Sequence, residues 1–249
     1  RQIMLFGVMK SLITRQCMCL DSMFSYYGSK SKLYKLYPKP KMDLIIEPFC
    51  GAAWYSFDNY HKKVWVNDKY QVIYNIWDWL INKADKYFIL DNLDYYIGDD
   101  ISKLDLPNEF KDLLGFCINT GSSTPKNIVQ KWVCQSKINY NWASTTNFQL
   151  KRVANELHRV KHWKCSGFDY TDIPNIEATW FIDPPYQHGG EYYKLNTINY
   201  NNLREWCQSR KGQVIVCENT NADWLDFRPL YNIKGQRKKT TEAIWTNLS

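Results

Sequence analysis

The sequence predicts an α/β fold built on an open, twisted sheet. Three observations predict it. Leu44-Ile45-Ile46 is a short apolar run followed by small residues and then a helix-compatible stretch to Asn59. Val64-Trp65-Val66 repeats the theme and ends on Asn67-Asp68. Ala178 to Ile182 is a third run, and it stops at Asp183-Pro184-Pro185-Tyr186. Short apolar runs bounded by turn residues read as buried parallel strands.

The last of these stretches organises the chain. A residue before proline is pushed away from the helical region, and proline offers no backbone donor. The strand therefore ends near Asp183, and a stiff tetrapeptide is displayed at its carboxyl end. In open α/β sheets that edge is where ligands bind. The turn can present a carboxylate, carbonyls and an aromatic face to a flat polar ring. A bare Asp-Pro-Pro can also be only a turn, so the upstream segments carry the discrimination.

The chain has 249 residues, 45% of them apolar and 16% aromatic. That suffices for one core, or one core with an insert. No stretch has the apolar length of a membrane span. Thirty-two Lys and Arg against 25 Asp and Glu give a formal net charge of +7, compatible with a polyanionic partner. Eight cysteines, at 17, 19, 50, 117, 134, 165, 207 and 217, form no Cys-x-x-Cys pair. This argues against a zinc ribbon and for a reducing compartment. Arg1 to Leu20 is apolar but broken by Lys10 and Arg15 and lacks a small-residue cleavage site. It reads as a helical or poorly ordered extension, not a signal peptide.

The elements follow in order. Phe24 to Lys32 places aromatics, Gly28 and two lysines ahead of a helical pattern at Leu33 and Leu36. It is a capping loop, or a loop whose Tyr26 and Lys30 hold part of a small ligand. Glu47-Pro48-Phe49-Cys50-Gly51-Ala52-Ala53 supplies the small residues that let a backbone approach a ligand. Asp68 lies about 20 residues past the glycine loop, where an acid commonly bonds a ribose hydroxyl; the plain alternative is a cap for the next helix. Val72, Ile73, Ile76, Trp77 and Leu80 define that helix, with its aromatics in the core.

Residues 91–163 break the strand–helix alternation and read as a helical insert between 1–90 and 164–249. Phe110, Leu113, Leu114 and Cys117 share a helical face, and Ile128, Trp132 and Val133 suggest a second helix. Phe148, Leu150, Val153, Leu157 and Val160 mark a third. Lys126, Lys131, Lys137, Lys151 and Arg152 are solvated charges or phosphate contacts. Asn139 and Asn141 are of the type that reads adenine edges. His158 and His162 stand four apart without a third ligand, so no metal site is expected. After Lys164 the pattern resumes. His188-Gly189-Gly190 is a flexible loop. A helix at Leu203, Trp206 and Cys207 leads to the strand Val214-Ile215-Val216, and Thr240 to Asn247 reads as a closing strand.

Taken in order, these segments resemble the Dam-like DNA adenine-N6 methyltransferases over nearly the whole chain, from Phe24 to Asn247. Tyr26 to Lys32 resembles that family's N-terminal cofactor motif and Glu47 to Ala52 its S-adenosylmethionine loop. Asn67-Asp68 resembles its ribose-binding acid, Asp183 to Tyr186 its catalytic motif, and Val214 to Asn219 and Glu242 to Asn247 its late strands. The loop departs from the family in having Ala52 and Ala53 where another glycine is common. The middle region does not resemble the recognition hairpin of the GATC-methylating members.

The resemblance implies a Rossmann-like methyltransferase mixed sheet, helices on both faces and a helical target-recognition insert. It implies S-adenosyl-L-methionine as cofactor, contacted by Tyr26, Lys30, Glu47, Pro48, Phe49, Gly51, Asp68, Asp169 and Asp183. Asp183, Pro184, Pro185 and Tyr186 would be catalytic. Double-stranded DNA would be the partner, with a companion restriction endonuclease a further one, in the cytoplasm of a prokaryotic or phage-infected cell. Two other readings remain open at this point: a methyltransferase for another planar nitrogen (cytosine N4, RNA or a protein glutamine), and a non-catalytic DNA-binding module of the same fold.

Overall fold

The structure is a computed structural model that describes residues 23–30, 33–119, 121–130, 144–234 and 239–248. The apolar runs become the parallel strands of one sheet. β1 (Leu44–Glu47) pairs with β2 (Lys63–Asn67) on one side and β4 (Ala178–Ile182) on the other. β3 (Lys164–Ser166) extends the β2 edge, and β5 (Gly212–Asn219) lies beside β4, all parallel. β6 (Arg228–Lys234) and β7 (Lys239–Thr246) form an antiparallel hairpin, with β7 reversed against β5. The order is β3-β2-β1-β4-β5-β7-β6. This is an α/β protein with a mostly parallel, seven-stranded mixed sheet, compatible with a Rossmann-like fold.

Side-chain alternation along the strands divides the core. Ile45, Val64, Val66, Phe181, Ile215 and Cys217 face one side. Ile46, Trp65, Trp180, Ile182, Val214 and Val216 face the other. The first side is covered by α1 (Trp54–Asp58), α2 (Gln71–Asp78), α4 (Asn108–Cys117) and α5 (Ser144–Glu156), with a short α3 at Lys86–Asp91. The second is covered by α6 (Tyr200–Ser209). Helices thus lie on both faces. Phe110, Leu113 and Val153 join the same apolar cluster as Ile73 and Trp77, so α4 and α5 share the core of the sheet. Trp77 stacks on Trp163 with ring centroids 5.4 Å apart.

Several expectations are corrected. Ile128 is not helical: it forms an antiparallel bridge with Asp100, flanked by Ile101 N–H to Asn127 O and Val129 N–H to Asp99 O. Long-range pairing outweighs the local spacing there, while Trp132 and Val133 lie outside the described residues. The pattern at Leu33 and Leu36 yields only a 3₁₀ turn, Tyr34–Leu36. β6 and α3 were not anticipated. Residues 1–22 lie outside the described residues, as do Lys131, Lys137, Asn139 and Asn141. Among the described residues, no helix is long and apolar enough to cross a membrane.

The sheet also places the site. β1, β2 and β4 are parallel, so their carboxyl ends share one edge. The strand order reverses direction between β1 and β4, and the crevice outside such a switch point is where open α/β sheets take ligands. Glu47 and Asp183 flank it.

Candidate active site

The ends of β1 and β2 each contribute an acid held by backbone donors. Glu47 closes β1, and its carboxylate accepts the N–H of Ser56 in α1 at 2.7 Å. Burial, partly offset by that bond, lifts its pKa to about 8. Asp68 follows β2. Its Oδ2 accepts the Gly51 N–H at 3.0 Å and its Oδ1 the Tyr70 N–H at 2.9 Å. It therefore ties the glycine loop to the turn that starts α2. Burial lifts its pKa to about 6 against those two bonds.

The loop between Cys50 and Ala53 is tightly turned. Gly51 has φ +45°, and a Cβ there would meet the Tyr26 ring at 2.9 Å. Its carbonyl accepts the indole N–H of Trp77 at 2.8 Å, so a core residue of α2 also fixes the loop. Ala53 sits in the left-handed region, with φ 50° and ψ 46°. This conformation favours glycine and is strained for alanine. The position where the sequence lacks a second glycine is thus one whose backbone suits one.

A cavity of about 240 Å³ joins these groups. Tyr26, Lys30, Glu47, Phe49, Gly51, Asp68, Asp169 and Asp183 all line it. Phe49 and Tyr170 pack at 5.4 Å between ring centroids and form an aromatic wall. Asp169 is bound by Lys69 at 2.7 Å and by the Thr171 N–H and hydroxyl. Burial works against it, yet Lys69 and Thr171 hold its pKa below the usual value. Pro48 is not among the cavity-lining residues; its carbonyl accepts the Asn67 side-chain amide at 2.9 Å, locking β1 to β2. Pro184 is buried, and neither it nor Tyr186 is among the lining residues.

The Asp183 end is a buried network. Lys30 Nζ lies 2.9 Å from Asp183 Oδ1 and donates to the Tyr186 hydroxyl at 2.8 Å. That hydroxyl donates to Glu242 Oε1 at 2.6 Å, which also accepts the Tyr37 hydroxyl at 2.7 Å. Burial lifts the Asp183 pKa to about 6; Lys30 opposes the rise and Glu242 adds to it. Burial alone would lower Lys30, but Asp183 and Glu242 outweigh it and hold the ammonium charged. The amine of Lys30 is therefore committed to the Asp183–Tyr186 turn.

Sequence reasoning missed Tyr37, Tyr193 and Glu242. Tyr193 belongs to the segment 193–198 that forms one wall of the cavity. Its ring meets Tyr27 edge-on at 5.0 Å and Tyr26 at 6.1 Å. Gly28, at φ +73°, makes room for it, since a Cβ there would fall 1.8 Å from the Tyr193 hydroxyl oxygen. The signal for Glu242 was an acid within an otherwise strand-like run. For Tyr193 only its proximity to Gly189-Gly190 hinted at a covering loop.

Lys126 and Lys151 are exposed. Arg152 is half-buried; burial pushes the Cys117 thiol up to about 12, a rise that the nearby Arg152 charge partly opposes. His158 and His162 turn to the carbonyls of Asn155 and Lys62. Among the described residues, no cluster of three His, Cys, Asp or Glu could hold a metal ion. Compared with known proteins, the chain matches no family model and no curated sequence.

Proposed function

We propose that this chain transfers a methyl group from S-adenosylmethionine to the N6 amine of adenine in double-stranded DNA. The observation that carries the reading is one cavity at the switch point of the sheet. It is lined both by the Gly51 loop with Asp68 and by Asp183 of the Asp-Pro-Pro-Tyr turn. The mixed sheet with its reversed β7 supports the methyltransferase form of the fold.

The residues fit the cofactor. Asp68 is a carboxylate with no ion pair among the described residues, suited to hydroxyl donors. Phe49 and Tyr170 offer a wall for a purine, and Gly51 lets the backbone come close. When bound, S-adenosylmethionine supplies an electrophilic methyl group on a sulfonium. The protein then needs only to prepare the nucleophile and hold the partners in line.

The exocyclic amine of adenine is a weak nucleophile, because its lone pair is delocalised into the ring. Asp183 accepts one N–H and the Pro184 carbonyl the other, which draws the nitrogen toward a tetrahedral shape. The methylated nitrogen must then lose one proton, and the Asp183 carboxylate is placed to receive it. Tyr186, its hydroxyl fixed by Lys30 and Glu242, offers its partly buried ring for stacking on an extruded base. Lys126 and Lys151 are the described cations for phosphates of the duplex.

The test is direct. Duplex DNA is incubated with the protein and isotope-labelled S-adenosylmethionine, digested to nucleosides and analysed by mass spectrometry. Labelled N6-methyladenine is expected from the wild type. None is expected from Asp183→Asn, whose amide presents a donor where an acceptor is required. Labelled N4-methylcytosine, or full activity in the variant, would refute the proposal.

A further inference from the structure

We infer that Glu242, the buried acid of β7, is a positioning residue for Asp183, acting through Lys30 and Tyr186; this rests on the methyl-transfer reading above. Glu242 is only 3% exposed. A buried carboxylate is expensive unless it is satisfied, and an apolar side chain of similar size often serves stability better. Its place in the network gives it a use. Lys30 offers three N–H donors. One is donated to the Tyr186 hydroxyl at 2.8 Å, while Nζ makes ion pairs with Asp183 Oδ1 at 2.9 Å and Glu242 Oε1 at 3.6 Å. One ammonium is shared between two carboxylates.

The sharing decides what Asp183 can do. Its Oδ1 is closed off from solvent, while the side chain as a whole keeps 17% exposure. The accessible oxygen is therefore Oδ2, the one free to accept an incoming N–H. Glu242 draws Lys30 away from that oxygen, and its bond from the Tyr186 hydroxyl anchors the far side of the catalytic turn. Without Glu242, Lys30 can close over both oxygens and blunt the acceptor.

Other titratable groups face Asp183 as well. Burial lifts Glu47 of β1 and Glu218 of β5 to about 8, so both are largely neutral at pH 7. Cys217 of β5, Tyr37 and Tyr193 are all pushed upward, first by burial, and stay protonated. Lys30 and Glu242 are the remaining neighbours that act on Asp183, in opposite directions. Removing the Glu242 charge takes an anion away and frees Lys30, and both changes push the Asp183 pKa down.

The experiment reads Asp183 directly. The protein is labelled at the aspartate carboxyl carbons and titrated by NMR, with the Asp183 signal assigned by its loss in Asp183→Asn. The wild-type midpoint should lie near pH 6. Glu242→Gln should lower it by about one unit or more, and Lys30→Gln should raise it. In methyl transfer, Glu242→Gln should shift the acid limb of the rate profile by the same amount. At neutral pH its kcat should fall about tenfold, with the KM for S-adenosylmethionine unchanged. An unmoved midpoint in Glu242→Gln overturns the inference. If that variant does not fold, an unmoved midpoint in Lys30→Gln does so. A midpoint that moves as expected, in a protein that methylates nothing, keeps the positioning network and removes the methyl-transfer reading.

Discussion

Replacing Asp68 by Asn should stabilise the ligand-free protein progressively as pH rises, and weaken its hold on S-adenosylmethionine. The carboxylate accepts two backbone N–H groups, at 3.0 and 2.9 Å, and makes no ion pair among the described residues. Burial lifts its pKa from 3.8 to about 6. A carboxyl with a raised folded pKa binds its proton more tightly when folded than when unfolded. Its stabilising contribution is therefore complete below pH 3.8 and is lost as pH climbs through 6. A gap of about 2 units, at about 1.4 kcal/mol each, makes the loss about 3 kcal/mol by neutral pH. One side of the carboxylate faces the cavity, so solvent screening reduces that to about 1–2 kcal/mol. Asn removes this dependence. It keeps one acceptor and forfeits one backbone bond, an offset of about 1 kcal/mol that does not vary with pH.

The measurable quantity is the difference in unfolding free energy between Asp68→Asn and wild type. By urea denaturation it should grow in favour of the variant by about 1–2 kcal/mol between pH 4.5 and 7.5. Calorimetry at pH 7.5 should show affinity for S-adenosylmethionine reduced roughly 10- to 100-fold, as for lost hydrogen bonds to a charged group. A difference that is flat with pH, together with unchanged affinity, would refute the reasoning. Asp68 would then be a cap for the turn at Tyr70 and nothing more.

Three further outcomes are expected. Ala53→Gly relieves a left-handed alanine and should stabilise the protein by about 0.5–1 kcal/mol in thermal denaturation, without loss of cofactor affinity. Tyr193→Ala strips the ring from Tyr26 and Tyr27 and should raise the KM for the cofactor several-fold; Gly28→Ala, whose methyl displaces the same hydroxyl, should do likewise. The double variant should be no worse than either alone, because both remove one contact. Lys151→Gln should flatten the salt dependence of DNA binding by about one unit of log–log slope, with cofactor binding unchanged.

The sequence shows its strands clearly because each apolar run ends abruptly, at Glu47-Pro48, Asn67-Asp68 or Asp183-Pro184. Breakers at strand ends are local, and local signals survive in a one-dimensional reading. The same segments carry the acids that line the cavity, so that half of the site was legible with them. What was not legible depends on distance along the chain. Ile128 follows a helical spacing but is captured by Asp100, a partner that spacing does not reveal. β6 hides behind Pro229, at whose bulge the register with β7 shifts. The Asp183 network closes over 156 residues between Lys30 and Tyr186 and 205 between Tyr37 and Glu242.

Glu242 marks where a local reading could have gone further. Thr241-Glu242-Ala243-Ile244 lies in a strand with a strand on each side, and Ala243 and Glu242 are both buried. An acid at such a position must meet a donor or a cation, since burial removes most of its contact with solvent. The partner cannot be named from sequence, but its existence follows. Lys30 was one of two lysines already singled out with the aromatic loop before the first strand. Pairing the two would have placed β7 near the Asp183–Tyr186 turn, where the structure has Glu242 beside Lys30 and Tyr186.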